Sequence, residues 1–107
     1  MLFKKGVIPY KCWQYKHVRY AVDKVWLALF GHESLLTSNM DSDHSDTSLH
    51  YQGMAWDIRT RKNNALNKPH YSMEELFLAK QMIEDILGKE YDVVIEKTHI
   101  HIEFDPK

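Results

Sequence analysis

The sequence predicts an α+β domain, in which a small antiparallel sheet packs against two helices. Three observations predict it. Val18, Ala21, Val22, Val25 and Leu29 recur at helical spacing, and Gly31 ends the series. Ser72 is followed by Glu75 at capping-box spacing, ahead of a second apolar stripe. Residues 54 to 61 and 99 to 104 alternate apolar with polar, the period of strands that bury one face.

The first helix is expected over roughly residues 17 to 30, and its apolar stripe requires a sheet to cover it. Residues 34 to 38 are apolar at the centre and fit a short buried strand, while 39 to 47 form a polar loop rich in Asp and Ser. In the strand over 54 to 61, Met54, Trp56 and Ile58 point one way and Ala55, Asp57 and Arg59 the other. Residues 62 to 70, with Asn63, Asn64, Asn67 and Pro69, make a polar connection. The Ser72 box then opens a helix carrying Leu76, Ala79, Ile83 and Ile86 on one face, and Gly88 stops it. Residues 91 to 95 and 99 to 104 form a hairpin that turns near Lys97. Ile100, Ile102 and Phe104 face the core there, so His99, His101 and Glu103 line the opposite face.

A length of 107 residues is that of one compact domain, 1–107. Apolar residues make up 44%, charged residues 27%, and the net charge of -1 points to no polyanionic partner. Lys and Arg are scattered and form no basic stripe, which argues against nucleic-acid binding. A single cysteine, Cys12, excludes an intrachain disulfide and a zinc site built from several thiolates; a small buried hydrophobe is its expected role. Residues 1 to 9 carry charge but no apolar run of signal-peptide length, and nothing downstream would span a bilayer. The expectation is a soluble monomer made in the cytoplasm, without a membrane partner.

Seven histidines are many for this length. His50 and Asp57 lie seven residues apart, a spacing that would send them to opposite faces of a continuous strand. Gly53 between them permits a turn or bulge that brings His50 to the Asp57 face, where small Ala55 leaves space. With a histidine of the His99-Ile100-His101 strand, these residues make the two-imidazole, one-carboxylate set that catalytic zinc uses, its fourth position kept for water. Zinc lowers the pKa of such water toward about 7 and polarises a carbonyl, but a base must still move the proton. Glu96, just before the histidine strand, is the candidate.

Ser48-x-His50-x-x-Gly53-x-Ala55-x-Asp57 followed by Glu96-x-x-His99-x-His101 resembles the D-Ala-D-Ala carboxypeptidase and L-alanyl-D-glutamate endopeptidase family of zinc peptidases. The wider group includes the hedgehog signalling domain and lysostaphin-type enzymes. The resemblance covers residues 37 to 104, and the two motifs together are far more specific than either alone. It implies an α+β fold with the zinc site on an antiparallel sheet, ligands at His50, Asp57 and His101, and Glu96 as the catalytic carboxylate. Relatives with paired histidines use the second as ligand, which leaves His99 beside the metal as a catalytic group. Relatives with the base three residues before the ligand would make His99 the ligand instead.

By the same resemblance the substrate is a peptidoglycan stem peptide, and the chain is expected to be a phage-type, endolysin-like endopeptidase acting on the bacterial cell wall. The alternatives are a D-Ala-D-Ala carboxypeptidase or dipeptidase, and a non-catalytic zinc module like the hedgehog domain. An upstream arginine that contacts substrate in some members has no counterpart, because Arg19 falls in a helix pattern. Arg59, on the Asp57 face, can take over a peptide carboxylate. His44 and Ser48, flanking the cleft, complete the expected substrate contacts. Alternating carboxylates over 41 to 46 invite a calcium reading, but the glycine and closing glutamate of the twelve-residue calcium loop are absent. His17, His32 and His70 show no partner spacing and are read as surface residues.

Overall fold

The computed structural model describes residues 1–39, 54–60 and 71–106. Their elements are β1 (Leu2–Phe3), α1 (Trp13–Phe30), β2 (Leu35–Ser38), β3 (Ala55–Arg59), α2 (Met73–Leu87), β4 (Tyr91–Ile95) and β5 (His99–Phe104). The five strands form one sheet in the order β1-β2-β3-β5-β4. Every neighbouring pair is antiparallel except β1 with β2, which is parallel. The chain is thus α+β as expected, with two helices packed against a mostly antiparallel sheet.

The second helix forms where its cap predicts. Ser72 Oγ accepts from the Glu75 amide at 3.1 Å, and the Glu75 carboxylate accepts from the Ser72 amide at 2.9 Å. Two amides that the first helical turn cannot satisfy are thereby paired. The buried stripe is Leu76, Ala79, Ile83 and Leu87, with Ile86 only partly covered at its edge. The first helix starts a turn earlier than expected, at Trp13. Its N-cap is Cys12, which makes no side-chain cap bond, so no capping residue marks the start. Tyr15 is nevertheless buried, and packing alone explains the extra turn. At the other end Gly31 adopts φ 71° and donates to Leu27 O and Trp26 O, both at 3.1 Å, the left-handed stop that glycine permits.

The hairpin of β4 and β5 has the predicted bounds, closed by the Glu96 amide donating to His99 O at 2.8 Å. Ile100 and Ile102 are fully buried with Trp56 and Ile58 of the adjacent strand. Each buried side chain of this size contributes about 1.5–3 kcal/mol relative to exposure, enough to lock the register in which one face goes inward. That register places Asp57 opposite His101 and Arg59 opposite His99. Asn39, fully buried, ties the end of β2 into the sheet: its amide donates to Ala55 O at 2.8 Å and its carbonyl accepts from the Tyr10 amide at 2.8 Å. Cys12 is partly buried against the core. Among the described residues, no helix is long and apolar enough to cross a membrane.

Candidate metal centre

Strand alternation and cross-strand register together assemble the site. On β5 the inward set takes Ile100 and Ile102, which leaves His99, His101 and Glu103 on the other face. On β3 the same rule leaves Asp57 between the buried Trp56 and Ile58. Antiparallel pairing sets Asp57 beside His101, and the three ligand atoms that Asp57, His99 and His101 can offer all lie within 4.8 Å of one another.

His101 Nδ1 stands 2.8 Å from Asp57 Oδ1, and His101 Nε2 stands 2.9 Å from Glu103 Oε1. His99 Nε2 lies 3.5 Å from the same Asp57 oxygen and 3.8 Å from Glu96 Oε2, while its Nδ1 faces the Thr98 hydroxyl at 3.1 Å. His101 and Asp57 are the more enclosed, with side chains 16% and 15% exposed, against 25% for His99 and 47% for Glu96. The Asp57 backbone is held in turn, its carbonyl accepting from Thr37 Oγ1 at 3.2 Å.

The donor set fits a borderline divalent cation. Ligands about 2.0–2.1 Å from a tetrahedral zinc stand roughly 3.3 Å apart. The 3.5 Å separation of His99 from Asp57 is of that size, whereas the 2.8 Å contact of His101 with Asp57 is a hydrogen bond. For Nδ1 and Oδ1 to hold a cation together, this contact would have to open and Nδ1 would have to give up its proton.

The same arrangement governs the metal-free protein. The hydrogen bond to Asp57 holds the His101 imidazole up at about 9 from its ordinary 6.5; burial opposes the shift and the bond to Glu103 adds to it. A folded-state pKa above the unfolded one contributes stability that is complete below about 6.5 and lost as pH rises through about 9. Thermal melts of chelator-treated protein should show Tm falling across this window, a fall that His101→Gln removes. A wild-type Tm that tracks the variant at every pH would exclude the pairing.

The expected site residues divide by location. Asp57, His99 and His101 come together, Glu96 stands at the rim beside His99, and Arg59 pairs across from His99 at the end of β3. His50, Ser48 and His44 lie outside the described residues, as do Gly53, the 41–46 carboxylates and His70. Ala55, expected to leave room beside a metal, is fully buried. His32, expected at the surface without a partner, is partly buried instead: its Nε2 lies 2.7 Å from the Tyr71 hydroxyl, and its ring stacks with Phe30 and Tyr71. His17 sets an edge against Tyr91. Glu103 was expected on the polar face without a role; its contact with His101 adds it to the site, and the two-residue spacing from His101 is the signal that points to it.

The fold and site thus define an α+β protein with a His/His/Asp group on one sheet face. Comparison with known protein families, with characterised proteins and with solved structures finds no match.

Proposed function

We propose that the protein is a zinc-dependent metallopeptidase that hydrolyses peptide bonds in peptidoglycan stem peptides, an endolysin-type endopeptidase of the D-Ala-D-Ala carboxypeptidase and L-alanyl-D-glutamate endopeptidase family. The observation that carries this reading is the convergence of Asp57, His99 and His101 from two strands onto one sheet face. These are residues of the two sequence motifs, far apart in the chain.

Asp57 and His101 would hold the metal, with His50 assigned as the third ligand from the motif. Bound there, zinc would lower the pKa of a water and polarise the scissile carbonyl. Glu96 takes the proton of the attacking water and passes it to the leaving amine. His99 donates a hydrogen bond to the oxyanion that develops on the carbonyl. Arg59 engages a substrate carboxylate, with Ser48 and His44 as further substrate contacts. The partner is a peptidoglycan peptide, bound by a monomer without nucleic acid or membrane.

Digestion of purified peptidoglycan by the zinc-loaded protein, followed by mass analysis of the fragments, tests the reading. New internal termini within the stem peptide are expected. Release of terminal D-Ala alone would make the protein a carboxypeptidase or dipeptidase, and intact peptidoglycan would leave a non-catalytic zinc module.

A further inference from the structure

We propose that Glu103 is a positioning residue for the metal centre, holding the His101 imidazole so that Nδ1 is presented to the cation; this rests on the metal reading above. The ring is gripped on both sides, by Asp57 at Nδ1 (2.8 Å) and by Glu103 at Nε2 (2.9 Å). An imidazole binds a cation only through a nitrogen that carries no proton, so a ring that binds through Nδ1 keeps its proton on Nε2. A carboxylate is an acceptor only. Glu103 therefore favours the tautomer that binding needs, fixes the ring plane and makes Nδ1 a stronger donor to the metal.

Local structure makes this possible. Residues 101 and 103 share a strand face, so the Glu103 side chain reaches back along β5 to the ring. Its cross-strand neighbour on β3 is Ala55, whose side chain ends at Cβ and does not compete for the ring. The Glu103 side chain is 27% exposed, which limits competition by water. His99 differs in kind: its Nδ1 faces the Thr98 hydroxyl, and its Nε2 points toward two carboxylates at 3.5 and 3.8 Å. On this assignment the doubly held ring is the ligand, and the loosely held one, although 3.5 Å from Asp57, is the group that acts on substrate. Glu103 also belongs to a close acidic set with Asp92 and Asp105, so its directed bond must be separated from the field of neighbouring charge.

The test titrates metal-free wild type, Glu103→Ala, Glu103→Gln and Asp92→Asn with zinc against a competing chelator, and records the visible spectrum of the cobalt-loaded forms. Glu103→Ala should weaken zinc by roughly 10–100-fold and change the cobalt bands, the usual effect of losing a carboxylate behind a metal-bound histidine. Glu103→Gln, whose amide oxygen still accepts from Nε2, should recover most of that loss and restore the bands. Asp92→Asn removes a charge from the same acidic set while keeping the Glu103 carboxylate and should stay within about twofold of wild type. Wild-type affinity in Glu103→Ala, or an equal loss in Asp92→Asn, would overturn the proposal. Should circular dichroism show Glu103→Ala unfolded, Glu103→Thr, a good strand former too short to reach the ring, decides by the same criterion. A wild type that takes up no zinc overturns the metal reading and this inference with it. A wild type that binds zinc while the Glu103 variants bind it equally overturns this inference alone.

Discussion

Replacing His101 by alanine should empty the metal site, whereas replacing His99 should leave it filled. His101 is the ring in direct contact with Asp57, the more enclosed of the two and the one backed by a second carboxylate. Removing a ligand from a three-ligand site leaves too few donors to hold the ion, so elemental analysis of His101→Ala should fall from about one zinc per chain toward none. Metal that binds only the native state stabilises it by mass action, about 2.7 kcal/mol at a hundredfold excess over Kd, and His101→Ala should forfeit this and melt lower. His99→Ala should keep its zinc and its Tm. On the proposed mechanism its loss should instead fall on the transition state, where a missing oxyanion donor costs roughly two to three orders of magnitude in turnover. The reverse pattern, with His99→Ala metal-free and His101→Ala replete, would place the ligand three residues after Glu96 and make His101 the auxiliary group.

Glu96→Gln should retain zinc and fold but lose roughly two to four orders of magnitude in turnover. Glu96 sits at the shoulder of the β4–β5 hairpin, where its amide pairs with His99 O, while its carboxylate stands half-exposed 3.8 Å from His99 Nε2. That separation is beyond hydrogen-bond range, so the side chain contributes little to the fold and is available to move a proton. Glutamine keeps the shape and removes the basic oxygen. Turnover of a stem peptide, read beside metal content and Tm of the same preparation, separates a lost base from a lost site. Full activity in Glu96→Gln would assign proton transfer elsewhere, with His99 next in line.

Much of this protein is written in local sequence. The Ser72–Glu75 box and the Gly88 stop define α2 because capping is a matter of neighbouring residues. The alternation through Ile100, Ile102 and Phe104 defines β5 and, with it, the shared face of His99, His101 and Glu103. Asp57 opposite the Trp56–Ile58 face follows from the same period on β3. The early turn of α1 was hidden because Cys12 supplies no cap, and β1 because its two residues, paired parallel with β2, are too few to show a period.

What only the tertiary structure decided is which polar groups meet. Asp57 and His101 are 44 residues apart, and nothing near either one says that β3 lies beside β5 rather than beside β4. That choice belongs to the whole core. Burying Trp56 and Ile58 together with Ile100 and Ile102 selects one register, and a slip of a single residue would turn every one of these side chains to the wrong face. The same register carries Asp57 to Nδ1 of His101 while leaving Nε2 for Glu103. Periodicity is a property of one strand and names the face on which a side chain stands; pairing is a property of two strands, decided by the apolar packing beneath them, and it alone determines the neighbours.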